Sequence, residues 1–161
     1  LAQQVGGRKI TRVEAKVHPN ALVTAGKLAP RTALEGKFSV FHSCAVALLF
    51  GAAGEKEYSD EMVRDPKVIA LRDKVNATVD KSLRDDEVHA RVTLKDGRRL
   101  ERRFQEPLGH ARRPPPPDAI WMKFEDCTAA ALPPADQRRM FDRLQHADAL
   151  AGVHELPVTK G

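Results

Sequence analysis

The sequence predicts an α+β fold, a two-layer sandwich in which helices cover one face of an antiparallel sheet. The first observation is that Lys9–His18 alternates apolar and polar residues, as a half-buried strand does. The second is Asp96-Gly97, a strong hairpin signal between the alternating stretches Glu87–Lys95 and Arg98–Glu106. The third is Lys37–Gly51, the most apolar run of the chain, which has the pattern of a helix buried on nearly all sides. Hairpin strands that face one helical layer give the predicted architecture.

The composition is that of a folded chain of modest size. Its 161 residues suffice for one domain with a real core, or for a small domain with a helical extension. A hydrophobic content of 42% and a charged content of 30% exclude a disordered class. The longest apolar run is too short to span a bilayer and no signal peptide is visible, so a cytoplasmic protein without membrane contact is expected. Cys44 and Cys127 lie in predicted helices and are expected to be buried free thiols.

The excess positive charge is concentrated between residues 91 and 113. The window holds eight basic and three acidic residues and so carries the whole net charge of +5. Such a strip is suited to nucleic acid or to a small polyanionic substrate, and it is equally typical of a solvated strand face with alternating Arg and Glu. A single Trp and a single Tyr provide no stacking platform for single-stranded nucleic acid, and no nucleic-acid partner is predicted.

The remaining elements are shorter. Residues 19–36 have weak periodicity and are predicted to be mostly loop, with a short helical turn near Ala21–Gly26. Short helices are predicted to begin at Ser59 and at Asp65-Pro66, and a short strand is predicted over Asn76–Ser82.

The last third of the chain is punctuated by proline. Residues 109–117 read GHARRPPPP, which favours a stiff, extended segment. Asp118 is then expected to cap a helix that ends at Pro133-Pro134, and a second helix carries Met140 and Phe141 on its apolar side.

A small polar island interrupts the apolar run near its start. Ser39, His42 and Ser43 have the spacing i, i+3, i+4 and share one face of the predicted helix. Free N–H groups and the helix dipole favour a carboxylate or phosphate at such a position, where His42 would add a proton or a charge. The alternative is that Ser39 caps the helix and His42 is a satisfied core histidine. The six histidines lack metal-ligand spacing, and no metal site is predicted.

The order of motifs resembles the C-terminal part of the MmgE/PrpD family, which includes 2-methylcitrate dehydratase. The resemblance covers nearly the whole chain. It rests on VEAKVHPNAL, LEGKFSVFHSCAVALLFG, RDPKVIALRDKV, VTLKDGRRL, EPLGHARRP and KFEDC.

The resemblance implies a two-domain enzyme that needs neither a metal nor an organic cofactor. On that plan residues 1–107 form the small α+β domain and residues 108–117 form a proline-rich crossover. Residues 118–161 are then the closing helices of a large all-helical domain whose other part lies outside this sequence. The expected partners are therefore a small di- or tricarboxylate substrate, the missing helical domain or a partner subunit, and a second copy of the chain in a homodimer.

The family's chemistry implies roles for five residues. It takes place at a carbon next to a carboxylate and requires a base, an acid and cations that hold the substrate. His42 falls where the family has a Tyr or His that faces the active-site cleft, so it is the predicted catalytic residue. Lys37, Ser39, His110 and Arg112 are the predicted substrate-binding residues, and for the charged three the alternative is surface charge. A non-catalytic dimerisation module is the second hypothesis for the whole chain, and an isolated chain is expected to be inactive.

Overall fold

A computed structural model describes residues 1–152 and residue 154. It contains one four-stranded open sheet whose strand order is β2-β1-β3-β4. The strands are β1 (Ile10–Val17), β2 (Val75–Val79), β3 (Val88–Leu94) and β4 (Arg99–Phe104). The predicted α+β class is confirmed, because helices pack on one face of this sheet.

The sheet is mixed, which differs in one strand from the antiparallel expectation. β1 pairs with β3 and β3 with β4 in antiparallel fashion, and the β3–β4 pair is the hairpin that Asp96-Gly97 predicted. β2, however, pairs parallel with β1, with Val13 opposite Val75. Parallel neighbours need a long crossover connection. The helical segment between β1 and β2 provides one, which carries the chain back to start β2 in the same direction as β1.

Eight α-helices accompany the sheet within the described residues. They are α1 (Ala2–Val5), α2 (Pro19–Ala25), α3 (Ala33–Lys37), α4 (Val40–Phe50), α5 (Asp60–Arg64), α6 (Pro66–Arg72), α7 (Pro117–Thr128) and α8 (Pro134–Gln145). Short 3-10 helices lie at Lys56–Tyr58 and Ala147–Ala149.

The helical turn predicted near Ala21–Gly26 is confirmed as part of α2, but the prediction of mostly loop over residues 19–36 is wrong, because α2 and α3 occupy much of the segment. His18 Nδ1 accepts a hydrogen bond from the Asn20 backbone N–H, and Pro19 fills the first position of α2. Thr32 Oγ1 accepts from the Glu35 N–H at 3.2 Å and begins α3. The two helices are too short to show apolar periodicity, so their capping residues were the readable signal.

The core of the first part of the chain lies between the sheet and helices α4 and α6. Val13 and Ala15 of β1 are buried on this face, and so are Phe41 and Val46 of α4 and Val68 of α6. α4 is buried over its first part only: Leu49 and Phe50 at its end are 42% and 47% exposed. The expectation of a helix buried on nearly all sides therefore fails at its C-terminal end.

The opposite face of the sheet is polar. Glu101 of β4 lies 2.7 Å from His89 Nε2 and 3.0 Å from Arg91 of β3, and Arg98 pairs with Asp96 in the turn. Arg103 of β4 likewise pairs with Glu87. Arg91 and Arg103 of the basic strip are therefore paired on a solvated strand face, which was one of the open alternatives.

The contacts divide the chain into two compact units, Leu1–Pro107 and Leu108–Gly161. In the second unit Trp121, Phe124 and Phe141 of α7 and α8 pack together, with ring centroids 5.1 to 6.1 Å apart. The Arg138 guanidinium lies 3.8 Å from the centroid of the Trp121 ring. The α7 helix begins at Pro117, one residue before the predicted cap. The roles of residues 108–117 as a crossover and of residues 118–161 in a larger helical domain stay predictions.

The two cysteines differ in their surroundings. Cys44 packs against the core, and burial raises the pKa of its thiol to about 11. Cys127 is exposed, so the prediction of a buried thiol is wrong at this position, since it lies on the outer side of α7. None of the helices in the described residues is long and apolar enough to cross a membrane.

Candidate functional site

The candidate site is built where α3 ends and α4 begins. Ser39 has an extended backbone and its Oγ accepts a hydrogen bond from the His42 N–H at 3.1 Å, which caps α4. The same residue's carbonyl accepts from the Ser43 N–H and, at 2.9 Å, from the Ser43 hydroxyl. Both Ser39 and His42 are fully buried. The capping interaction therefore fixes the backbone that carries His42.

The imidazole of His42 uses only one of its two nitrogens. Nε2 lies 2.8 Å from the Glu57 carbonyl oxygen, which can only accept, so in the neutral ring Nε2 carries the hydrogen. Nδ1 is then the unprotonated nitrogen, and it has no hydrogen-bond partner in the described chain. Burial, with a smaller contribution from the charge of Arg72, lowers the pKa of His42 below its ordinary value, against the Glu57 hydrogen bond. The group is a neutral base with an unused lone pair.

Close packing holds the ring in this position. A Cβ atom on Gly36 would lie 2.8 Å from Val63 Cγ2 and 3.4 Å from His42 Cδ2, so only glycine fits beside the imidazole. The Tyr58 ring is tilted against His42 with centroids 5.4 Å apart, and its hydroxyl bonds the Ser43 hydroxyl at 2.8 Å. Gly36 and Tyr58 thus flank the imidazole.

Lys37 lies at the surface beside this cluster, at the end of α3. Its Nζ donates to both carboxylate oxygens of Glu55, at 3.1 and 3.3 Å. The Lys37 side chain is 44% exposed and the Glu55 side chain 64% exposed. The ammonium group therefore already holds a carboxylate, in a position open to solvent.

His110 and Arg112 lie in the second unit. His110 Nδ1 accepts a hydrogen bond from the Arg112 N–H at 3.1 Å, and the backbones of His110 and Arg113 form an isolated bridge. Residues 110–113 thus form a tight turn that carries the guanidinium groups of Arg112 and Arg113. The structure thus brings together Lys37, Ser39 and His42, and places the other two predicted residues on a separate turn.

Four residues of the cluster were not predicted from the sequence. Glu55, Glu57 and Tyr58 follow α4 by a loop, and Arg72 comes from the end of α6. No periodicity links them to His42, since contacts 15 to 18 residues apart depend on how the loop folds back. The available signal was that Tyr58 is the single tyrosine of the chain. In the described residues no group of three or more His, Cys, Asp or Glu side chains has a metal-binding arrangement.

The sequence defines the family to which the chain belongs. The family model for the MmgE/PrpD C-terminal domain matches residues 1–147, so the chain belongs to the MmgE/PrpD family. The resemblance read from the motifs is thereby confirmed.

Two relatives show what the chain is similar to within this family. It is 30% identical over 141 residues to a 2-methylcitrate dehydratase of Cupriavidus necator, an alignment that covers 80% of this chain and 29% of that protein. It is 34% identical over 80 residues to the mitochondrial 2-methylcitrate dehydratase of Yarrowia lipolytica, covering 43% of this chain and 15% of that protein. The chain therefore spans less than a third of the length of these relatives.

Proposed function

We propose that this chain is the C-terminal portion of a cofactor-independent, cytoplasmic lyase or isomerase that acts next to a carboxylate of a small di- or tricarboxylic acid. Family membership over residues 1–147 carries the proposal, and the relatives named 2-methylcitrate dehydratase make a dehydration the first reaction to test. The candidate site supports it, because a buried histidine and a lysine that already binds a carboxylate come from the same junction of α3 and α4.

Dehydration next to a carboxylate removes a proton from carbon and expels a hydroxyl group as water. A base takes the proton, an acid protonates the leaving oxygen, and cations hold the carboxylates. In this proposal His42 transfers a proton at the reacting carbon or oxygen. Lys37, Ser39, His110 and Arg112 remain the proposed substrate-binding residues, and the support is strongest for Lys37.

The acid–base set in this chain is incomplete, and we expect the remainder of the site to come from the rest of a full-length protein or from a partner subunit. The isolated chain is therefore expected to be inactive. The test is the formation of the unsaturated product from 2-methylcitrate, followed by ultraviolet absorbance, first with the chain alone. Robust turnover by the chain alone would overturn the split-site proposal.

The second part of the test uses the full-length protein encoded by the reading frame that contains this chain. There, His42→Ala is expected to lower kcat by about 10²- to 10⁴-fold, the usual contribution of a general acid or base. Glu61→Gln is the matched control, because Glu61 is exposed and has no ion pair with any described residue. Full activity of His42→Ala would remove His42 from the reaction.

A second candidate function is a non-catalytic dimerisation module. The observation in its favour is the exposed apolar surface of the second unit, where Ile120, Met122 and Leu144 are 42%, 63% and 40% exposed. Light scattering at several concentrations tests it. A clean monomer at high concentration would contradict both this candidate and the proposed homodimer.

A further inference from the structure

His42 is covered by a short segment that connects α4 to α5. We call residues 51–58 the cover segment. It begins at Gly51, where a left-handed backbone with φ of 72° terminates α4, and it ends with the 3-10 helix Lys56–Tyr58. The Glu57 carbonyl accepts a hydrogen bond from His42 Nε2, and the Tyr58 ring packs against the imidazole. The cover segment therefore lies over the one residue of this chain that is predicted to touch the reacting atoms.

The cover segment has few ties to the elements beneath it. In the described part of the chain its backbone-to-backbone hydrogen bonds are local: Gly51 N–H to Ala47, Tyr58 N–H to Glu55, and Ser59 N–H to Lys56. Side-chain hydrogen bonds add to its attachment, through Lys37 to Glu55, His42 to Glu57 and Ser43 to Tyr58, and its 3-10 helix also packs against α3 and α5. No ladder of a sheet or helix has to break for the segment to lift.

The outermost of these contacts is the ion pair between Lys37 and Glu55, in which the Glu55 carboxylate binds as a substrate carboxylate would. The Glu55 carboxylate accepts from Lys37 Nζ with both oxygens, as a substrate carboxylate would. Both side chains are largely in contact with solvent, so a second carboxylate has access to the same ammonium group. Exposed pairs of this kind are weak, because water and salt compete for both charges.

We propose that the cover segment is a gate over His42, which Glu55 keeps closed by occupying Lys37 and which a carboxylate ligand opens by taking the place of Glu55. The inference rests on the proposed function in one respect, since it takes a small di- or tricarboxylate as the ligand. Opening removes the Glu57 carbonyl from His42 Nε2 and leaves that N–H free to donate to the ligand. Binding of the ligand and exposure of His42 thus become one event.

Two measurements on the 161-residue chain test the gate without reference to turnover. Amide hydrogen exchange followed by mass spectrometry reports the opening of residues 51–58. The rate of diethylpyrocarbonate modification of His42 reports its exposure. Glu55→Gln is expected to raise both rates about two- to fivefold, the range that loss of a surface ion pair allows. The matched control Glu61→Gln is expected to leave both unchanged, and circular dichroism verifies that each variant is folded.

Citrate serves as the tricarboxylate probe, with sodium chloride at matched ionic strength as the control for screening. Citrate is expected to raise both rates in the unaltered chain as Glu55→Gln does. In Lys37→Met the rates are expected to be high already and to show no response to citrate.

The inference is overturned if Glu55→Gln leaves both rates at those of the unaltered chain, or if citrate slows them. Its failure can be distinguished from failure of the proposed function. If the segment opens in Glu55→Gln and with citrate while the full-length protein shows no turnover of 2-methylcitrate, the gate stands and the proposed reaction fails.

Discussion

At the scale of single residues, His42 is fully buried, but only one of its two ring nitrogens has a hydrogen-bond partner among the described residues. Its Nε2 has a partner in the Glu57 carbonyl, whereas Nδ1 has none in the described chain. An unpaired buried nitrogen costs stability that an apolar side chain of similar size would not lose. The cost has a reason if the residue works as an acid or base, which the proposed function requires.

The protonation of His42 predicts a direction for the pH dependence of stability. Because burial lowers its pKa in the folded chain below the ordinary 6.5, the unfolded chain takes up a proton at this residue first as the pH falls. Its contribution to the free energy of unfolding is therefore fully present above about pH 6.5 and declines below it. Urea unfolding at about pH 7.5 and about pH 5.5 measures the decline.

The comparison variant for this prediction is His42→Gln, which cannot titrate. The other histidines contribute equally to both chains, and the carboxyl groups with lowered pKa values, such as Glu87 and Glu101, titrate at lower pH. We expect His42→Gln to lose less stability than the unaltered chain between the two pH values. An equal loss in both chains would show that His42 does not titrate differently on folding.

Gly36 is the second residue whose substitution is expected to change stability in a defined direction. In Gly36→Ala the new Cβ would lie 2.8 Å from Val63 Cγ2, and Val63 is itself buried in the core and cannot yield. We expect a loss of about 1–2 kcal/mol in the free energy of unfolding, because overpacking outweighs the better helix propensity of alanine.

A double-variant cycle identifies the cause of that loss. In a Val63→Ala background the obstructing methyl group is gone, so adding Gly36→Ala is expected to cost less than about 0.5 kcal/mol. Equal costs in the two backgrounds would mean that close packing beside His42 is not the reason for glycine at this position.

At the scale of elements, α4 depends on its cap more than the neighbouring helices do. Ser39→Ala removes the acceptor for the His42 N–H in a fully buried position. We expect it to lower the free energy of unfolding by about 1–2 kcal/mol. Thr32→Ala, the matched change at the exposed cap of α3, is expected to cost about 0.5–1 kcal/mol. Equal effects measured by urea unfolding would contradict the special role of the buried cap.

The helices and strands also show which parts of the fold could be predicted from the sequence. β1, β3 and β4 were predictable because alternation and the Asp96-Gly97 turn are local properties, and α4 because of its apolar composition. The Ser39 cap was predictable because a serine directly before an apolar helical run is a local signal. The parallel pairing of β2 was not, because strand order depends on where a crossover returns the chain.

The candidate site was predictable only in its local part. Lys37, Ser39 and His42 are close in the chain and also in space, since two successive helices join there. The contacts of Glu55, Glu57 and Tyr58 with these residues come from a loop that folds back over α4, and no spacing rule encodes such a return. Sequence therefore predicted the residues under the cover segment and not the segment itself.

At the scale of the whole molecule, the two units differ in how many buried side chains their helices and strands contain. The first unit has a core of buried residues from β1, α4 and α6. In the second unit α7 has no buried residue and α8 has only Gln137. Helices of this length are marginal in water unless packing supports them. The units are thus expected to differ in stability.

The positions of the single tryptophan and of the inner strand β1 make this expectation measurable. Trp121 lies in the second unit, so its fluorescence reports on α7 and α8, whereas exchange protection of the β1 amides reports on the sheet. We expect the Trp121 signal to change at a lower urea concentration than the loss of β1 protection, because the small aromatic cluster around Trp121 opens before the core between sheet and helices does. A single coincident transition for both probes would contradict the expected difference in stability and would place this chain among two-state folders.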